Sequence, residues 1–103
     1  MATSVGADEG PRPEPEPRPE LVQTTDHFYH VRVRPKESFA QLRTSPGDAE
    51  VARGVIGDGC DVRKGRLDAE TWLVESVLVP RYAAEDGTEA ESLTDDLVDR
   101  IES

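Results

Sequence analysis

The chain has 103 residues and a formal net charge of −10, enough for one small domain. Its single cysteine, Cys60, excludes an intrachain disulfide and a multi-thiolate zinc site, and it fits a reducing, cytoplasmic setting. The start, Met1-Ala2-Thr3-Ser4-Val5-Gly6, lacks the basic and apolar stretches of a signal peptide, and the longest nearly apolar run, Trp72 to Val79, is too short to span a membrane.

The charge is unevenly placed. Residues 1–26 hold six acids and two arginines, residues 27–82 hold nine basic and eight acidic residues, and residues 83–103 hold eight acids against Arg100. These divisions predict a disordered, acidic, Pro-rich tail over 1–26, an α+β domain over 27–82, and an acidic loop with a C-terminal helix over 83–103. A domain of about 60 residues buries only about 60% of its unfolded-chain surface, which leaves little spare stability for a strained catalytic centre.

In the tail, residues 8–20 alternate proline with charge and offer nothing apolar to bury, the pattern of an extended, polyproline-like segment. Residues 28–34, Phe-Tyr-His-Val-Arg-Val-Arg, alternate with period two. As a strand they send Tyr29, Val31 and Val33 to a core and Phe28, His30, Arg32 and Arg34 to the other face, with Pro35 as the stop. Residues 37–43 have one helical spacing, Phe39 to Leu42. A clearer helix follows: Ser45 can cap it, Pro46 suits its first position, Asp48 lies at its positive end, and Gly57-Asp58-Gly59 ends it. Val51, Ala52, Val55 and Ile56 form its apolar stripe.

Residues 60–67 and 70–79 predict a β-hairpin joined at Asp68-Ala69-Glu70. The second strand is apolar on both faces, with Trp72, Val74 and Leu78 on one and Leu73, Val77 and Val79 on the other. This pattern marks a central strand, with Trp72, Val74 and Leu78 as core anchors. Residues 83–91 are expected to be a loop. Residues 92–102 form a last helix capped by Ser92 or Thr94, with Leu93, Leu97, Val98 and Ile101 on one side and Asp95, Asp96 and Asp99 on the other. The expected order is β-α-β-β-α, with a three-stranded, mostly antiparallel sheet.

His27-Phe28-Tyr29-His30 has the H-x-x-H spacing, but on a strand those imidazoles face opposite ways, so no metal site is expected. Cys60 sits between Asp58 and Asp61, which oppose thiolate formation. Gly54-Val55-Ile56-Gly57 has the spacing of the KH RNA-binding loop, but its middle residues are apolar and Asp58 and Asp61 follow. No P-loop or calcium-loop pattern is present. The feature left is basic. Arg32 and Arg34 lie on the first strand and Arg63, Lys64 and Arg66 on the second, with aromatic residues nearby. Arg32, Arg34, Arg63 and Arg66 are thus the candidate anion-binding face, the arrangement that single-stranded nucleic acid or another polyanion requires. The stronger reading of alternating arginines is the solvent face of a sheet, paired with Glu37, Asp61, Glu70 and Glu75.

Abundant acids with ten arginines and only Lys36 and Lys64 fit a salt-adapted protein, as well as a coding bias. The segments Glu37-Ser-Phe-Ala-Gln-Leu-Arg-Thr-Ser-Pro46, Gly59-Cys-Asp-Val-Arg-Lys-Gly65 and Trp72-Leu-Val-Glu-Ser-Val-Leu-Val-Pro80 resemble those of small uncharacterised acidic proteins of halophilic microbes. The resemblance implies a stand-alone domain and carries over no functional residue. The expectation is a small non-catalytic binding or protein-interaction module without cofactor, metal or membrane. The alternatives are nucleic-acid or polyanion binding through the arginines and, behind it, a small enzyme.

Overall fold

In the computed structural model, residues 13–103 are described. Five strands form one antiparallel sheet: β1 (Glu20–Thr24), β2 (Phe28–Arg32), β3 (Gln41–Thr44), β4 (Asp61–Arg66) and β5 (Trp72–Pro80), in the spatial order β1-β2-β5-β4-β3. Two helices, α1 (Pro46–Val55) and α2 (Gly87–Glu102), pack on one face of it and on each other.

The α+β class and the antiparallel sheet agree with the sequence. The sheet has five strands where three were expected, and the order is β-β-β-α-β-β-α. One added strand, β1, comes from the expected tail. It pairs with β2, and just before it the Arg18 N–H donates to the Val33 carbonyl at 2.9 Å. Residues 1–12 of that tail lie outside the described residues. The other added strand, β3, replaces the expected helical turn at 37–43. Only Lys36–Ser38 winds, as a short 3-10 turn, and the Phe39 ring then lies over Gly65, where it meets the position a Cβ would occupy.

The core lies between the sheet and both helices. Tyr29, Val31 and Val33 enter it, as their alternation requires, with Val62, Val77 and Val79 beside them. Burial at this density supplies most of the fold's stabilisation, about 25 cal/mol per Å² of apolar surface. The first helix is built as its sequence reads: Ser45 accepts from the Asp48 N–H, Pro46 opens the helix and Ala52 is fully buried.

The last helix begins five residues earlier than expected. Its cap is Asp86, which accepts from the Glu89 N–H at 2.9 Å, whereas Thr94 is buried inside the helix and donates to the Ala90 carbonyl. Leu97 and Val98 dock it into the core.

Trp72, Val74 and Leu78 do not share a face. Arg63 pairs with Ser76 and Lys64 with Val74, so Glu75 is an extra residue that shifts the phase of β5. Val74 joins the core with Val77 and Val79. Leu78 falls on the opposite face, half-buried. Trp72 is also half-buried, with the Arg43 guanidinium 4.1 Å from its ring centroid.

Candidate functional site on the open sheet face

Both helices lie on one side, and β2, β3, β4 and β5 contribute side chains to the other face of the sheet. Period two and the registers place two cross-strand rows on it. His30, Leu78 and Asp61 form one row, and Arg32, Ser76, Arg63 and Thr44 form the next. Between them is a shallow hollow of about 290 Å³, lined by His30, Thr44, Asp61, Val62, Arg63, Ser76 and Leu78.

The bulge determines the chemistry of its floor. It places Glu75 and Ser76 side by side, both nearly fully buried, and the Ser76 hydroxyl donates to Glu75 Oε1 at 2.6 Å. Glu75 Oε2 lies 3.9 Å from Arg32 Nε, too far for a hydrogen bond, and that nitrogen is buried without a hydrogen-bond partner. Burial lowers the pKa of His30 and the Arg32 and Arg63 charges lower it further, while Glu75 opposes them. The balance favours the neutral imidazole.

Of the four arginines expected to share a face, Arg32 and Arg63 do so, flanking Ser76. Arg66 is separated from Arg63 by three positions along β4, and period two puts it on the helix side, paired with Trp72. Arg34 leaves the face because the Val33 and Arg34 N–H groups both bond the Glu75 carbonyl, which breaks the alternation there. Its guanidinium, 3% exposed, makes two bonds to Glu102 at 2.9 and 2.8 Å and one to the Val74 carbonyl at 3.0 Å. It joins α2 to the sheet and is closed to a ligand.

The other candidates are dispersed. His27 is exposed in the β1–β2 turn and His30 lies in the hollow. Among the described residues no group of three His, Cys, Asp or Glu could hold a metal ion, and no helix is long and apolar enough to cross a membrane. Cys60 is in the core; burial, with help from Asp61, pushes its thiol up to about 11. Gly54 lies inside α1 and Gly57 just past its end, so the G-x-x-G segment is a helix terminus. Thr44 and Ser76 carried no signal in the sequence: they join the site only through the pairing of β3, β4 and β5. Comparisons with protein-family models, with curated proteins and with solved structures found no match.

Proposed function

We propose that the protein is a small, non-catalytic binding module that receives a protein partner on the open face of its sheet. The observation that carries this reading is the hollow where polar groups from β2, β3, β4 and β5 converge on the side the helices leave free. Its candidate nucleophiles are buried: Ser76 is 4% exposed and Cys60 6%, and the Cys60 thiol is protonated at neutral pH. The face is mixed in sign, with Arg32 and Arg63 against Glu75 and Asp61, and a mixed rim around a partly apolar floor suits a protein surface.

A second reading, binding of single-stranded nucleic acid or another polyanion, rests on Arg32 and Arg63 flanking Ser76. It is opposed by the net charge of −10.

Photo-crosslinkers placed at Asp61 and, separately, at the exposed Asp96 of α2 separate these cases. A defined protein captured from Asp61 and not from Asp96 supports the module. Equal capture at both positions defeats it. Retention of a single-stranded oligonucleotide at low salt, lost when Arg32 and Arg63 become Gln, would establish the polyanion reading in its place.

A further inference from the structure

The two edges of the sheet are built differently. The β1 edge is obstructed: Pro17 and Pro19 precede it, its register breaks between Leu21 and Gln23, and the Leu21 N–H is held by Glu91 of α2 at 2.7 Å. Prolines, bulges and covering groups are the devices that stop a strand edge from recruiting another strand.

The β3 edge has no proline within the strand, and its registered pairs with β4 run without a break from Gln41 to Thr44. The Ser45 N–H bonds the Val62 carbonyl at 2.8 Å. An antiparallel ladder alternates from there, so the N–H and C=O groups of Leu42 and Thr44 point away from β4. Gln41, Arg43 and Thr44 are exposed and Leu42 is half-buried.

This edge is also the positive rim of an acidic molecule. Strands β3 and β4 together carry Arg43, Arg63, Lys64 and Arg66 against Asp61, and of these Lys64 is paired with Asp48 of α1 at 3.0 Å. Arg63 lies on the open face beside Thr44, and Arg43 lies on the other face beside Lys64. A strand added here would have Arg43, whose guanidinium lies over Trp72, beside it on one face and Arg63, one strand further in, on the other. A second copy of β3 would bring Arg43 toward its own equivalent, and like charges disfavour that pairing.

We infer that the β3 edge accepts an extended, acidic peptide segment of a partner protein. The segment adds as a sixth strand bonded to the backbone of Leu42 and Thr44, with carboxylates directed at Arg43 on one side and Arg63 on the other. The inference rests on the binding-module reading and supplies its partner class.

The test uses a fluorescent octapeptide that repeats Val-Val-Glu-Glu, so that carboxylates fall on both of its faces, its Val-Val-Lys-Lys counterpart, and an acidic version N-methylated at every residue, which blocks both of its edges. Anisotropy at low salt measures affinity, and amide exchange locates the contact. The expected result is binding of the acidic peptide alone, with new protection at Leu42 and Thr44. The doubly substituted Arg43→Glu, Arg63→Glu protein should bind about tenfold more weakly or worse. N-methylation of the peptide should abolish binding without any change to the protein. Equal affinity for the Lys peptide overturns the inference, as does concentration-dependent dimerisation that protects β3 with no peptide present. Failure of every peptide to bind also overturns it. Binding that perturbs His30 and Ser76 and leaves the β3 amides unprotected overturns the edge alone and leaves the binding-module reading standing.

Discussion

Replacing Glu102 by Ala removes the carboxylate that ties the end of α2 to the sheet. Glu102 accepts two bonds from the Arg34 guanidinium, at 2.9 and 2.8 Å, and one from the Val74 N–H at 2.8 Å. Arg34 is 3% exposed, and without Glu102 its charge keeps only the carbonyls of Val74 and Pro15. Breaking one side of a buried pair costs about 3–5 kcal/mol. Glu102 is itself 17% exposed, so water can replace part of what is lost and the lower end, about 3 kcal/mol, is expected. A domain of this size has a total stability of about 5–10 kcal/mol. The variant should thus lose about a third of it or more, a fall in melting temperature of about 12–20 °C. Urea denaturation measures the change directly. Arg34→Met alone should also destabilise, but the double variant should recover part of the loss, because no buried charge then remains unpaired. A Glu102→Ala protein within about 0.5 kcal/mol of the parent would show that α2 is held by its apolar contacts alone.

Three further outcomes follow from local geometry. Gly65→Ala places a methyl against the Phe39 ring and should cost about 1–3 kcal/mol in urea denaturation; the same change in a Phe39→Ala background should cost much less, and equal costs would contradict the contact. The imidazole of His30 should titrate below its ordinary value of 6.5 when followed by NMR. Because the unfolded chain then binds the proton more readily, its contribution to stability is complete above pH 6.5 and declines as pH falls toward the folded value, and His30→Gln should remove that component. With its thiol pushed up to about 11, Cys60 should react slowly with a thiol reagent at pH 8 until denaturant is added, and rapid labelling of the native protein would contradict its burial.

The sequence was legible where one residue type answered one local demand. The alternation of Tyr29, Val31 and Val33 marks a strand because every second position meets the helices. Ser45, Pro46 and Asp48 mark a helix start because orphan N–H groups need an acceptor there. The missed elements depend on partners distant in sequence. In β1 only Leu21 is half-buried and the other residues are exposed, so an edge strand left almost no apolar period to read. Phe39 and Leu42 have helical spacing, yet both meet Gly65, the ring of one lying over it and the other beside it in register. The bulge at Glu75 shows in the sequence only as two consecutive polar residues, Glu75-Ser76, within an apolar run. The start of α2 was signalled by Asp86-Gly-Thr-Glu89, a capping pattern whose acceptor the structure uses. The arginine face failed at Arg34 because a bulge redirects it, and at Arg66 for a local reason already present in the sequence: three positions from Arg63 on one strand, it faces the other way.

Salt dependence tests how the excess acid is accommodated. Residues 83–103 hold eight acids against one arginine, which alone predicts a helix that docks only when its repulsion is screened. The structure divides seven of those eight acids into two groups. Asp86 caps α2, Glu89 accepts from the Glu85 N–H, Glu91 accepts from Leu21, and Glu102 accepts from Arg34 and Val74. Their charge is used locally; the contacts of Glu91 and Glu102 are partly buried and screened weakly by salt, while those of Asp86 and Glu89 are short but exposed. Asp95, Asp96 and Asp99 remain on the exposed side of α2, where like charges at helical spacing cost a few tenths of a kcal/mol per pair. Raising salt from about 0.01 M to about 1 M shortens the screening length from about 30 Å to about 3 Å and should remove most of that cost. The expected gain is therefore about 1 kcal/mol or less, a few degrees in melting temperature. Because Leu97 and Val98 are buried, their amides should already be protected at low salt. A gain well above about 2 kcal/mol, or loss of protection across α2 at low salt, would mean that repulsion outweighs packing in this helix.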